Sequence, residues 1–497
     1  MKRFIGIDLG TSSVKVVVTD RYGRVEHTAT RGYELSEPVV QWREIDPMVW
    51  WHATAMATSE VMEHCADDEI AGVGVTGQMH TVVPLNVDEM PEGPAIMWND
   101  QRTAHMVPRV RQTLEKVGEH YLARIVSTGS PAINLAWIKT EQPVTFSRIK
   151  TFVIGPDWIV KCLTGSIGTD WCEASTSSLF NFRQGTWSKV ACESLGIPLS
   201  MLPEIQSAST IAGYVSSAAG RASGVPVGVP VVRGTGDNPA SAIAAGCFVE
   251  NAPVISLGTS GVLIYAVPDI ICAERGKSVL FSEVPGDLLT LVQLSIQTCG
   301  SAVSWLVNDV LRCTSYNIED AAVNDPTYDT GRLIFYPFLN GDKTMYGDSH
   351  VRGAFVGLSL DTSRSELQRA VMEGISMGLR QLVECADKSK SWGEVRVVGG
   401  GSRSDLWLRI LSSVLDTRIV RLAGVEGASQ GAAMIAASSV LGMKLDMLAR
   451  RASRLSEVFV PDRKMVSLYD KKYGMFLQLH DTVGTLGVER RSHLGLD

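Results

Sequence analysis

Twice along the chain, alternating apolar residues flank a short glycine turn. The first case is Phe4-Ile-Gly-Ile-Asp8-Leu-Gly-Thr11-Ser-Ser-Val-Lys15-Val-Val-Val; the second is Pro253-Val-Ile-Ser-Leu-Gly258-Thr259-Ser260-Gly-Val-Leu-Ile-Tyr. Period-two patterning on both sides of a turn predicts a strand, a tight turn and a returning strand. The shared tetrapeptide Leu-Gly-Thr-Ser makes this a duplication, with one copy heading each half. Short apolar strands and helical stretches alternate elsewhere. The first half predicts a helix over Pro47–His64, a strand over Ile70–Thr76, and turns over Ala218–Gly234 leading into a strand at Val229–Arg233. Ala244–Val254 reads as the junction between halves. In the second half, Ser301–Leu311 and Glu366–Lys388 read as helices, Val395–Val398 as a strand, and further helices start at Asp405 and span Ser429–Leu441. The tail to Asp497 reads as helical and peripheral.

This pattern is α/β, and 497 residues exceed the ~250–300 at which a single core stops growing. Two domains are expected, over 1–248 and 249–497. A hydrophobic content of 45% with 46 glycines and 20 prolines is that of a globular chain. The net charge is −7 and no basic cluster stands out, which argues against a nucleic-acid partner. Nine scattered cysteines, with no Cys-x-x-Cys pair, favour reduced thiols over disulfides or zinc. Asp8 interrupts the only apolar stretch that follows Lys2 and Arg3, so no signal-peptide core forms. No apolar run approaches the roughly 18 residues of a membrane span. A soluble, cytoplasmic protein without a membrane partner is the expectation.

Several positions carry candidate chemistry. Turn N–H groups beside Thr and Ser hydroxyls make a concavity suited to phosphate oxygens, and two such turns could grip a triphosphate. Asp8 ends the first strand, where a carboxylate could hold a water-ligated Mg²⁺. Lys15, on the returning strand, could reach a phosphate or be a solvated strand lysine. In Arg233-Gly-Thr-Gly-Asp237-Asn238-Pro239, Asn238 and Pro239 read as N-cap and first helical residue. Helix-mouth N–H groups would then favour ionised Asp237, which could take a proton from a hydroxyl at neutral pH. Gly399-Gly-Gly401-Ser-Arg-Ser-Asp405 could let a flat nucleoside lie on the backbone, with Asp405 bonding base or ribose. Gly72-Val-Gly-Val-Thr-Gly77 matches a dinucleotide fingerprint but is patterned as a strand with no helix after it, so that reading is rejected. Gln78-Met79-His80 and Trp98-Asn99-Asp100-Gln101-Arg102 place polar groups near an indole, which suits a polyhydroxylated substrate.

With these residues in view, the chain resembles the FGGY carbohydrate kinases, which have the actin-like (ribonuclease H-like) ATPase fold of two lobes with the active site in the cleft between them. The most specific piece is Gly353-Ala-Phe-Val-Gly357-Leu358 followed by Glu366-Leu-Gln-Arg-Ala370-Val-Met-Glu373. Gly-Gln-Met-His at 77–80, Trp-Asn-Asp at 98–100 and Gly-Asp-Asn at 236–238 most resemble the xylulose-phosphorylating members. The resemblance implies ATP and Mg²⁺, Asp237 as base, and Met79, His80 and Asn238 among the sugar contacts, beside candidates Gln78, Trp98 and Asn99. It implies nucleotide contacts at Thr11, Gly258, Thr259, Gly300, Ser304, Gly401 and Asp405, to which Ser12 and Lys15 are added from the first turn, and a magnesium-linked role for Asp8. Many enzymes of this type are dimers. Asn134 replaces the usual Lys of the family's N-terminal signature, and Gly341-Asp342-Lys343 departs from its usual Gly-Glu-Arg.

Overall fold

The computed structural model describes residues 1–65, 69–247, 252–284, 286–313, 315–342, 344–348, 350–386, 392–452 and 454–484. Strand Lys2–Leu9 pairs antiparallel with Ser13–Thr19, which sets Asp8 opposite Lys15, and Val25–Gly32 completes a meander. On its other side Lys2–Leu9 runs parallel to Glu69–Gly77, followed in the sheet by Pro230–Val232 and then Ile211–Tyr214. A parallel pair needs a crossover, supplied here by helix Pro47–Met62. Asp46 starts that helix by accepting the Met48 N–H at 2.9 Å, with Pro47 in its first turn.

The second sheet repeats the scheme. Hairpin Val254–Leu257 and Gly261–Val267 has Glu394–Val398 running parallel beside its first strand. Leu288–Ile296 and Lys277–Ser282 extend one side; Arg418–Ala423 and Arg454–Phe459 extend the other. Helix Arg364–Cys385, opened by a reciprocal Ser363–Glu366 cap, supplies buried apolar residues to this lobe's core.

The two faces of the first sheet differ. Ile5, Ile7, Val73 and Val75 pack with Trp50 and Trp158 from flanking helices. The intervening positions are Phe4, Gly6, Gly72 and Gly74, and helix Ala428–Leu441, from the far end of the chain, lies against them. A Cβ on Gly6 would lie 1.8 Å from the Ser429 carbonyl oxygen, and one on Gly74 would lie 1.9 Å from that of Ala432. The same helix crosses helix Asp237–Ala244 so closely that a Cβ on Gly431 would lie 1.9 Å from the Ala240 carbonyl oxygen. Gly72 and Gly74 of the rejected dinucleotide match thus serve helix-on-sheet packing, while a Cβ on Gly77 would meet Leu9 of the neighbouring strand.

Most predicted elements are present, and three differ. Ala218–Gly234 is not all turn: Ser216 accepts the Ala219 N–H and caps helix Ser217–Ser223, which Gly224 closes at φ +76°. Helix Gly300–Ser304 does not run regularly to Leu311 but continues as a more widely wound turn over Trp305–Val310. The tail is not peripheral. Arg454–Phe459 is an edge strand of the second sheet, and helix Arg463–Leu479 buries Met465, Tyr469, Tyr473 and Phe476, an i, i+4, i+8, i+11 stripe, in the core. The predicted boundary at 248/249 and residues 485–497 lie outside the described residues. Among the described residues no helix is long and apolar enough to cross a membrane.

Candidate active site

Three parallel strand ends meet at one edge of the first sheet. Asp8 and Leu9 stand beside Thr76 and Gly77, which on their other side stand beside Thr235 and Gly236. This register brings Asp8, the Gln78–His80 loop and Asp237 together from positions far apart in sequence. Ends of parallel strands are where α/β folds assemble ligand sites.

Asp237 is the first residue of its helix and Gly236 the cap, two positions earlier than predicted. N–H groups of the helix start do pull its carboxyl down, as expected. Burial first and Asp8 second outweigh them and push it up to about 7. Burial likewise pushes Asp8 up to about 6 against the pull of Lys15. The two carboxyls therefore titrate close to neutrality.

Asn238, Met79 and Gln293 form one cluster. Asn238 directs its amide to Met79 Sδ at 3.6 Å and to Gln293 Oε1, on the second sheet, at 3.3 Å. The Gln78 N–H donates to the Leu9 carbonyl at 2.8 Å, while both of its side-chain amide atoms are buried without a protein partner. His80 Nδ1, Asn99 Oδ1 and Gln293 Nε2 are likewise buried and unpartnered. Burial and Lys277 hold the His80 imidazole well below its usual range, so it is neutral at pH 7. Trp98 is 44% exposed, and its indole N–H donates to Thr11 Oγ1 at 3.0 Å, tying the Trp98 loop to the first glycine turn. Asn134 likewise has a buried, unpartnered side-chain oxygen, Oδ1. It is fully buried and donates to the Gly129 carbonyl at 3.4 Å, and Gly129 abuts the Trp98 backbone so tightly that a Cβ would lie 2.0 Å from the Trp98 carbonyl oxygen.

In the first turn the Gly10 N–H donates to Ser13, and the Tyr33 hydroxyl donates to the Gly10 carbonyl at 2.5 Å. Thr11 and Ser12 remain at the surface of that turn. Lys15 is neither free nor merely solvated: it pairs with Glu426 at 2.7 Å, just before helix Ala428–Leu441. In the second turn the Gly258 and Thr259 carbonyls accept the N–H groups of Gly300 and Ser301 at 2.8 and 3.2 Å, fixing the start of the Gly300–Ser304 helix. Gly399, at φ +91°, and Gly401 both pack on Leu257, while Gly400 faces open space. Asp405 is ion-paired to Arg421, which also meets Glu457 at 3.2 Å. Its expected bond to a nucleoside would therefore compete with an arginine. Asp342 accepts the Met345 and Tyr346 N–H groups at 2.7 Å; Lys343 lies outside the described residues.

Sequence reasoning missed Glu173, Gln293, Tyr33 and Glu426. Only Glu173 had a local signal: Asp170-Trp-Cys-Glu173 has the spacing of a helix start, and the Asp170 carboxylate does accept the Cys172 and Glu173 N–H groups.

Residues 3–244 match the N-terminal domain model, and residues 254–440 the C-terminal domain model, of the FGGY family of carbohydrate kinases. The chain belongs to that family. It is thus an ATP-dependent sugar kinase with the two-lobed actin-like fold. It is 28% identical to a xylulose kinase of Staphylococcus xylosus, over 88% of this chain and 91% of that one. It is 27% identical to a glycerol kinase of Thermococcus onnurineus, over 88% and 90%. The crystal structure of xylulose kinase from Rhodospirillum rubrum superposes with a TM-score of 0.88 at 27% identity, covering 97% of this chain and 99% of that one.

The raised carboxyls of this FGGY kinase have a consequence for stability. Asp8 and Asp170 stand at about 6 and Asp157 and Asp237 at about 7, all above the 3.8 of an exposed aspartate. A carboxyl raised on folding contributes stability below its unfolded value that is lost as pH rises through its folded value. The ligand-free protein should therefore melt at a higher temperature near pH 5.5 than at pH 8. Asp8→Asn should raise Tm at pH 8 and narrow that gap. Calorimetry across pH 5–8 tests this, and a wild-type Tm that rises toward pH 8 would refute it.

Proposed function

We propose that this kinase transfers the γ-phosphoryl group of ATP to a primary hydroxyl of a ketopentose, with D-xylulose the first candidate. The observation that carries this reading is the set of buried, unpartnered polar atoms on Gln78, His80, Asn99 and Gln293 beside the exposed Trp98 face. Buried polar groups are normally paired, and a polyol supplies many directional partners while resting on one apolar wall. The relatives named above point to sugars and polyols, and the Gln78–His80 and Trp98–Asn99 elements favour the ketopentose among them.

In this reading Met79, His80 and Asn238 orient the acceptor, with its hydroxyl oxygen directed at the γ-phosphorus. Asp237, ionised, takes the hydroxyl proton as the new O–P bond forms; the bond to the bridging oxygen breaks and ADP leaves. N–H groups of the Thr11–Ser12 and Gly258–Thr259 turns steady the phosphoryl oxygens, where most catalysis of this transfer resides. Lys15 adds a positive charge that Glu426 tempers, and Gly300, Ser304, Gly401 and Asp405 take the rest of the nucleotide. The donor set fits Mg²⁺ delivered with ATP rather than a resident metal: among the described residues no group of three His, Cys, Asp or Glu side chains could cage an ion, and one carboxylate with waters suffices for magnesium. Asp8 would hold it through water, and its charge would offset that of the phosphates. The reading places the sugar-binding domain over 1–248 and the adenosine-binding domain over 249–497.

ADP release with MgATP is to be measured against D-xylulose, L-xylulose, D- and L-ribulose, gluconate, glycerol and no acceptor. Turnover on D-xylulose well above all others is the expected result. A preference for glycerol or gluconate would move the substrate while keeping the base and the turns, and ADP release that no acceptor enhances would overturn the reading.

A further inference from the structure

His80 has φ +71°, a left-handed conformation that is uncommon for any residue with a side chain and costs energy its surroundings must supply. The group that holds it lies far away in sequence. Glu173, on helix Trp171–Thr176, accepts the His80 N–H through Oε2 at 3.0 Å. Glu173 is 3% exposed, and its other oxygen, Oε1, has no protein partner. A Cβ on Gly236 would lie 3.1 Å from that oxygen and 2.6 Å from Met79 Cγ. Glu173 therefore sits between the Met79–His80 loop and the strand end that leads into Asp237. Burial first, with Asp170, Asp157 and Asp237 adding to it, raises its carboxyl well above the usual range. An apolar side chain could fill this space without such a penalty. What it could not do is accept the His80 N–H, which is the one protein hydrogen bond of this carboxyl among the described residues.

We propose that Glu173 is a positioning residue of the acceptor pocket: by holding the His80 backbone left-handed it sets the His80 and Met79 side chains against the acceptor. The inference rests on the acceptor-pocket reading above. It predicts an effect confined to the acceptor side of the reaction.

The test uses the full chain and the best acceptor from the panel, with Glu173→Ala and Glu173→Gln made alone and combined with His80→Gly. Glu173→Ala should raise the acceptor KM about tenfold, because the His80 and Met79 side chains are no longer held against the acceptor, with the ATP KM changed by less than about twofold. Glu173→Gln keeps an acceptor oxygen and should restore most of the loss. In the His80→Gly background Glu173→Ala should add little, because glycine takes a positive φ unaided. Equal rises in both KM values, a Gln variant as damaged as the Ala variant, or additive effects in the double variant would each overturn the proposal. If Glu173→Ala does not fold, Glu173→Met, which keeps the volume, takes its place. Wild-type enzyme that no acceptor stimulates would overturn the pocket reading itself; stimulated wild type with an unchanged acceptor KM in Glu173→Ala would overturn this inference alone.

Discussion

Asp237→Asn should lower kcat with the preferred acceptor by about 10²–10⁴-fold, the usual contribution of a general base, while ATP affinity changes by less than about twofold. The basis is geometric. Asp237 opens its helix at the end of a strand that flanks Glu69–Gly77, with Asp8 on the opposite flank. Burial, with the neighbouring Asp8 adding to it, raises the proton affinity of Asp237 and places it at about 7. In the free enzyme kcat/KM should accordingly rise with pH through about 7 as Asp237 ionises, and level off above it. A positive ion brought beside Asp8 with the nucleotide would shift that rise to lower pH in the kcat profile. An amide at 237 is nearly isosteric but cannot take a proton, so the same rise should vanish in the variant. Steady-state rates over pH 5.5–9, with ATP binding followed by calorimetry, decide the matter. An Asn variant retaining more than a tenth of the wild-type rate would remove Asp237 from the base role.

Gly431→Ala should be among the most damaging single-methyl additions at the described residues. The added Cβ would stand 1.9 Å from the Ala240 carbonyl oxygen, and its next neighbours at 2.6 and 3.0 Å are also Ala240 backbone atoms. No side chain can swing aside, so helices Asp237–Ala244 and Ala428–Leu441 must part. Overpacking ordinarily costs about 1–3 kcal/mol; a backbone obstacle puts this case at or above the upper end, a Tm loss of about 5 °C or more. Activity should fall with it, because the displaced helix carries Asp237. The matched control is Gly474→Ala, at an exposed glycine of helix Arg463–Leu479 with no atom within 4 Å of its added Cβ. That change should be neutral or slightly stabilising, since alanine is the better helix former. Thermal melts of both variants test the contrast, and a Gly431→Ala protein that melts like wild type would contradict the close helix crossing.

What the sequence made legible was local. The doubled Leu-Gly-Thr-Ser hairpin is readable because alternation and turn chemistry are encoded within fifteen residues, and Asp8 and Asp237 follow from their places at strand ends. The strand character of Gly72–Gly77 was readable for the same reason. The purpose of Gly72 and Gly74 was not, since it depends on a helix more than 350 residues later. Lys15 could not be assigned because its partner, Glu426, is equally remote. Asp237 was expected to be held ionised by helix N–H groups; those groups act as expected, but burial and Asp8, both products of tertiary assembly, reverse the net direction. The tail misled because its apolar stripe cannot by itself say which core it joins. Glu173 belongs to the same category: its spacing from Asp170 announces a helix start, and nothing nearby in sequence points to His80.

Helix Ala428–Leu441 closes the glycine-lined face of a sheet whose strand Lys2–Leu9 precedes it by more than 400 residues. During synthesis, which runs at about 5–20 residues per second, that strand waits tens of seconds before its cover emerges. Throughout that interval the early half carries a bare apolar surface with its backbone close to hand, the kind of surface that chaperones hold and neighbouring nascent chains can seize. The two halves are therefore not modules to be exchanged or expressed apart. The order in which the ribosome delivers them makes completion of the first lobe wait on synthesis of most of the second.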